Sequence, residues 1–265
     1  MPPSDTVILV QSTLKLYRDA ITEAAAGVLL NWRLLGLHFC YLLLFAVLAP
    51  IAGMFGGLAG GFLVGMVLAL VLGNYLATVS AAVQKERLQY REAFERGMEL
   101  FSPLISVLFA LFLLNLLLGF VLKGPESMWI RASINLFITV LFNPIPEVIY
   151  HRGGLMGELF AESLEFVKEN FIEWFLPALL FVLPLLLLSS EAVLPTVLFV
   201  LTTNPLYLIE RLLMHFSSPG LLLLEAPLVA LVLAILYFLM TVRGVLYGKL
   251  ATSSRRKRIY QARQG

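Results

Sequence analysis

Five stretches of this chain, roughly 34–54, 58–82, 102–122, 130–150 and 221–248, run apolar for about twenty residues each. That is the length an α-helix needs to cross the hydrocarbon core of a bilayer. Backbone at that depth must satisfy its own hydrogen bonds, which leaves helices and closed barrels as the only spanning structures. The runs are too long for strands, so the sequence predicts an all-α integral membrane protein. A sixth stretch, 174–189, is shorter, yet "WFLPALLFVLPLLLLSS" is apolar enough to cross if its flanks thin the bilayer or snorkel. No soluble-looking stretch of even about fifty residues remains, so 1–265 reads as a single polytopic domain. Composition agrees. The chain is 60% hydrophobic and 14% charged, with a mean hydropathy of +0.90, where soluble domains run nearer half and a quarter.

The stretch 193–216 decides the topology. "VLPTVLFVL" is too short to span, and the "TTNPLYLIERLLMHF" that follows carries Glu210, Arg211 and His215. With six spans, both termini cytoplasmic and 193–218 held outside as a re-entrant or surface piece, sixteen of the nineteen basic residues lie inside. Lys123, Arg131 and Arg211 stay outside. A seventh span would strand either the basic N-terminal helix or the basic tail, so six spans are predicted, in a plasma membrane.

An internal repeat organises the chain. "YRDAI" at 17–21 recurs as "YREAF" at 90–94, each copy inside an amphipathic stretch that precedes two spans. Leu14, Tyr17, Ile21, Val28 and Trp32 share one helical face in the first copy, and Tyr90, Phe94, Met98 and Phe101 in the second. A third helix, 155–173, precedes the last pair. The predicted architecture is six transmembrane helices as three hairpins, each led by a cytoplasmic amphipathic surface helix. The units are about 12–84, 85–153 and 154–250, followed by a basic cytoplasmic tail, 251–265.

"LYRDA", "YREAFERGMELFSPLISVLFALFLLNLLLG", "GGLMGELFAESLEFVKENFIEWFLPALL" and the closing "VRGVLYGKL" together resemble the YciC-type six-span bacterial inner-membrane family. They are also similar to the membrane domain attached to some glycerophosphodiester phosphodiesterases. The resemblance implies a six-helix membrane fold and no activity, because the catalytic domain of those enzymes has no counterpart in this chain. "NPIPE" and the segment after the sixth span depart from the pattern.

Polar residues at membrane depth are the first candidates for function. In "NPIPEVIY", Asn143, Glu147 and His151 recur every four residues and fall on one helical face. Pro144 and Pro146 remove backbone donors, which predicts an interruption within 142–147 and unpaired carbonyls one turn back. Free carbonyls beside an amide and a carboxylate are a pattern of transporter ion and substrate sites. Asn204, Pro205 and Glu210 echo it, and the repeat offset sets Asn74 opposite Glu147. The plainer reading is a helix terminus that steers the chain into the next surface helix.

Glu158, Glu162, Glu165, Glu169 and Glu173 form an acidic stripe, opposite an apolar face of Phe160, Leu164, Val167, Phe171, Trp174 and Phe175. Lipid-surface helices normally carry Lys or Arg there, so the stripe is read as docking a basic partner: Arg87 and Arg91, the tail, or another protein. A solvated face is the plain alternative. Arg255, Arg256, Lys257 and Arg258 are read as a topology determinant and candidate contacts for anionic lipid headgroups.

No nucleophile elbow, Walker loop, zincin motif or dinucleotide fingerprint occurs, and no His or Cys joins the acidic stripe. No enzyme activity, cofactor or metal is expected. The net charge of +2 gives nucleic acid no footprint beyond the tail. The functional expectation is a non-enzymatic interaction or assembly component of the cell envelope, in contact with the lipid bilayer and with a protein partner or a second copy of itself. The alternative is a transporter or channel-like subunit for a small or lipidic substrate, built on the broken helices near Asn143 and Asn204.

Overall fold

A computed structural model describes residues 5–124, 127–188 and 226–252. All regular elements among them are helical. Helix α1 (Asp5–Leu30) leads through a 3-10 turn at Trp32–Leu34 into α2 (Leu35–Gly53), and α3 (Gly57–Gln84) returns. Then come α4 (Tyr90–Val121), α5 (Ser127–Leu141), the short α6 (Ile145–Arg152), α7 (Met156–Leu188) and α8 (Ala226–Ala251). Five helical segments are long and apolar enough to cross a membrane: Trp32–Gly53, Gly57–Gln84, Tyr90–Val121, Trp129–Arg152 and Ala226–Ala251. The chain is a multi-pass, all-helical membrane protein. The apolar half of α7 covers the expected sixth span as far as Leu188. The stretch 193–216, with Asn204, Pro205 and Glu210, lies outside the described residues, as do Arg255, Arg256, Lys257 and Arg258.

The core is built around α3. Residues 71–82 are buried without interruption, because α1, α2, α4, α6 and α8 surround that helix. A helix apolar on every side must be buried in a protein core or in lipid, and over these residues the protein itself supplies the enclosure. Its return from α2 turns at Gly56 and Gly57, whose φ of +64° and +53° suit residues without a Cβ. Its closest partner is α4. A Cβ on Gly73 would stand 2.6 Å from the carbonyl oxygen of Gly97, and one on Gly97 would strike Asn74. Such contacts between small residues are how membrane helices gain packing where apolar burial offers no drive.

The repeat turns out to encode this packed face. Ala20 and Ala93 correspond across the repeat, as do Ala24 and Gly97, and all four are buried. Leu14, Ile21 and Trp32, with Tyr90, Phe94 and Met98 of the second copy, are exposed. The large apolar face therefore points away from the bundle, and the small residues let each helix close onto it. Helix α1 is fastened further by Tyr17 Oη donating to the Glu173 carbonyl (2.8 Å) and by Asn31, whose amide donates to the Glu86 carbonyl (2.8 Å). Glu23 joins it to two neighbours through Lys249 (2.7 Å) and Lys85 (3.3 Å).

One feature of the predicted units is corrected. In the second, the amphipathic stretch and the span are one unbroken helix of 32 residues, started by a reciprocal Gln89–Glu92 capping box. The first unit breaks at its 3-10 turn, and α7 bends at Asn170 (φ −122°, ψ 19°). There the Asn170 amide donates to the Phe166 carbonyl (3.2 Å), satisfying an acceptor that the bend leaves short.

Candidate functional site

The interruption falls where the two prolines require it. Helix α5 stops at Leu141, residues 142–144 turn, and α6 starts behind Pro144 as its N-cap with Pro146 in the first turn. Proline is well tolerated at that end of a helix, where N–H groups have no intrahelical acceptor.

The carbonyls around the break are not free, which corrects the expectation from sequence. Val140 O accepts from Asn143 N (3.4 Å), Phe142 O from Ile145 N (3.2 Å) and Pro144 O from Val148 N (3.0 Å). Leu141 O accepts from Ser163 Oγ of α7 (3.0 Å), and Asn143 O from Arg243 Nη2 of α8 (3.2 Å). Every carbonyl from 140 to 144 thus has a protein partner, so the prolines leave none unsatisfied. The neighbouring helices supply the side chains that make a break at membrane depth affordable.

Arg243 is the centre of the arrangement. Its Nε donates to Glu147 Oε1 (2.8 Å) and its Nη2 to Glu147 Oε2 (3.2 Å), a two-pronged ion pair. The same Nη2 reaches Asn143 Oδ1 (3.0 Å), which also accepts from Trp174 Nε1 (3.0 Å). The guanidinium carbon lies 4.6 Å from the Trp174 ring centroid, a cation–π contact. Glu147 is 0% exposed and the Arg243 side chain 19%. Glu147 also stands in the first turn of α6, where the helix dipole favours a carboxylate. The geometry is that of a closed lock between α6, the bend of α7 and α8.

Helix α6 reaches α8 closely because Gly244 and Gly248 face it, four residues apart. A Cβ on Gly244 would collide with Tyr150 Oη, and one on Gly248 would stand 3.3 Å from His151 Cε1. His151 Nε2 hydrogen-bonds the Gly244 carbonyl (3.0 Å). It does not share the Glu147 network that its helical spacing suggested, because Asn143 lies outside α6 and the turn rotates it onto Arg243. Asn74 is elsewhere too. It accepts from Tyr41 Oη (2.9 Å), donates to the Leu70 carbonyl (2.8 Å) and packs under Gly97, serving the α2–α3–α4 contact.

The acidic stripe divides. Glu162 turns inward to Arg152 (2.9 Å) and accepts from Tyr247 Oη (3.0 Å), while Glu173 is buried. Glu158 caps the start of α7 through the Leu155 N–H (3.1 Å). Only Glu165 and Glu169 remain exposed and without a partner among the described residues. Arg91 pairs with Glu95 on its own helix (2.8 Å), and the basic partner of Glu86 is Arg96 (2.8 Å), so the expected docking of Arg87 and Arg91 onto the stripe does not occur. The buried face of α7 is Leu159, Ser163, Phe166, Val167, Asn170 and Trp174, while Leu164 and Phe171 are exposed. The expected face holds in part, since Val167, Trp174 and Phe175 are buried and Phe160 packs against the core. Ser163 and Trp174 bond across to Leu141 and Asn143, while Asn170 bonds Phe166 of its own helix.

Sequence reasoning missed Arg243 as a partner, counting it only among inside charges. The signal was present: an arginine in an apolar helix beside the small-residue spacing "GVLYG" marks a residue that must find an acid. It also missed a smaller polar cluster in which His38 Nε2 meets Thr78 Oγ1 (2.6 Å), with the His38 ring against Tyr75 and Tyr237.

The side of the break away from Glu147 faces a cleft. Phe142, Ile145, Pro146 and Ile149 form its floor, α3 its back, and α4 and α5 its two walls. Its volume is about 770 Å³, within the range of small-molecule sites. Helices α4 and α5 are neighbours in sequence yet scarcely touch, which leaves the cleft open at the side. No group of metal-ligating side chains occurs among the described residues.

No family model, curated protein or solved structure matches this chain. Fold and site define a class by themselves: a multi-pass helical membrane protein with an ion-paired core and, among the described residues, a cleft open between α4 and α5.

Proposed function

We propose that this chain is a non-enzymatic subunit of the plasma membrane that holds a lipidic ligand sideways in the bilayer, within the α4–α5 cleft. The observation that carries this reading is the cleft itself, apolar for most of its length and open between two spans. A pocket at that depth is in direct exchange with lipid, and a chain without motifs for covalent chemistry can bind there without reacting. The Glu147–Arg243 lock supports holding rather than gating, because it fixes the cleft floor with every nearby carbonyl satisfied. Six spans, cytoplasmic termini and a bacterial inner membrane complete the proposal, on the strength of the basic-residue distribution and the YciC-type resemblance.

The test fills the cleft. Leu111 lines it and is half-buried, so Leu111→Trp should keep the fold and displace the ligand. Full-length protein extracted in mild detergent should carry about one lipid per chain by native mass spectrometry, and the variant should lose it. A folded variant with undiminished lipid would sink the proposal.

A second reading, docking of a basic partner, rests on Glu165 and Glu169, which remain exposed on α7. Reversing both to Lys should weaken a salt-sensitive interaction while stability holds. A partner recovered equally at low and high salt would end that reading.

A further inference from the structure

We infer that the ligand of this cleft is an anionic phospholipid, its phosphate at the α4–α5 turn and one acyl chain running down to the broken helix. This rests on the proposed lipid-holding role and adds the ligand's charge and orientation.

The walls of the cleft change character along its length. Near the turn it is lined by Asn115 of α4 and by Ser133 and Asn135 of α5. Toward the break it is lined by Leu104, Val107 and Ile149. Since α4 and α5 run in opposite directions from one turn, Asn115 and Ser133 are each six residues from it, counting from Val121 and Ser127. The polar groups therefore share one depth, and below them the lining is almost wholly aliphatic. From Asn115 to Leu104 the wall is about 16 Å long, close to half of the roughly 30 Å hydrocarbon core that one acyl chain spans. A water-soluble ligand would find one polar side chain in that lower half among the described residues, Thr139, whose hydroxyl already donates to the Asn135 carbonyl. A wholly apolar one would leave the Asn135 amide facing nothing, while the Asn115 amide already donates to the Leu111 carbonyl.

The charge at the mouth selects among amphiphiles. Exposed Trp129 also lines the cleft, at the level where aromatic side chains meet headgroups. Exposed Arg131 sends its guanidinium across to α4, where a Cβ on Gly119 would lie 3.9 Å from Nη1. Arg131 makes no hydrogen bond or ion pair among the described residues, so all its donors are available to a phosphate. Lys123 is exposed at the same turn.

The test offers the full-length protein equal amounts of phosphatidylglycerol and phosphatidylcholine in mild detergent and reads the retained lipid by native mass spectrometry. Wild type should retain phosphatidylglycerol preferentially. One basic residue at a headgroup contributes about a fivefold preference, so Arg131→Gln should lose about that factor and still hold lipid. Lys123→Gln should act in the same direction. Unchanged selectivity in both variants, or none in wild type, overturns the headgroup assignment; if Leu111→Trp still empties the cleft, the lipid-holding role survives that result. Retention that ignores Leu111→Trp removes both. Failure of a lipid-soluble maleimide to reach Leu111→Cys in a Cys40→Ala background, in protein carrying no lipid, would mean that protein covers the cleft, and would also overturn the inference.

Discussion

Replacing Arg243 by Met tests the lock directly. The substitution keeps the length and apolar stem of the side chain and removes four hydrogen bonds: two to Glu147 and two to Asn143. Glu147 is then left 0% exposed, a carboxylate without its counter-ion. Removing one partner of a buried pair costs about 3–5 kcal/mol, which is two to four decades in the folding equilibrium. The orphaned Asn143 carbonyl adds about 1–3 kcal/mol unless the turn relaxes. Replacing both charges, Glu147→Met with Arg243→Met, removes the stranded charge and should recover most of the loss, because apolar substitutes for buried pairs are often close to neutral. The double variant should therefore be more stable than Arg243→Met alone. Unfolding in mixed micelles with increasing SDS, followed by tryptophan fluorescence, measures all three. A single variant as stable as wild type, or a double variant that loses the sum of the two single losses, would refute the reasoning: the pair would then be hydrated rather than locked.

Three further outcomes follow from the packing and the charges. Gly97→Val should cost at least the 1–3 kcal/mol typical of overpacking, since even its Cβ would collide with Asn74; circular dichroism melts should register it, while Gly61→Ala, which meets no atom within 4 Å, should leave them unchanged. Hydrogen bonding from Lys249, aided by Lys85 and opposed by partial burial, holds the Glu23 carboxyl below its ordinary 4.5. The stabilisation it gives is present above about pH 4.5 and fades as pH falls through the lower folded-state value, so wild type and Glu23→Gln should differ in Tm at pH 6 and converge toward pH 3, and a constant gap would count against the clasp. Reporters placed after Gly265 and near Gln89 should read cytoplasm and one near Ser217 the outside; a cytoplasmic signal at Ser217 would restore a seventh span.

Much of the fold was legible because apolar run length is a one-dimensional property. The predicted 34–54 and 58–82 correspond to Trp32–Gly53 and Gly57–Gln84, and the break was readable because Pro144 and Pro146 act through local backbone sterics. What failed to show was pairing. Asn143 and Glu147 could be picked out by polarity, but Arg243 lies about a hundred residues on and only the tertiary fold brings it to them. The acidic stripe misled for a related reason. Helical spacing gives the angles between Glu158, Glu162, Glu165, Glu169 and Glu173, not the rotation of α7 about its axis. Ser163 and Trp174, bonded to Leu141 and Asn143, fix that rotation, and only Trp174 belonged to the face read from sequence. The repeat was visible through Tyr17 and Tyr90, although the residues it positions are the small ones beside them.

The continuity of α4 bears on how the cleft could respond to events at the membrane surface. The other two units have a joint between surface segment and span, at Trp32–Leu34 and at Asn170, and a joint absorbs rotation. Helix α4 is one continuous helix, but Pro103 within it leaves the Glu99 carbonyl without its intrahelical donor, so its Tyr90–Phe101 end and its cleft wall are coupled through a single weak turn. The fulcrum is where Gly97 bears on Gly73 and Asn74. From Gly97 to Val121 is about 36 Å of helix. A tilt of about ten degrees about that point swings the far tip by roughly 6 Å, more than the width of a methylene chain. Pressure on the exposed Tyr90, Phe94 and Met98 at one surface would reach the aperture of the cleft near the other only as far as the turn at Pro103 stays straight.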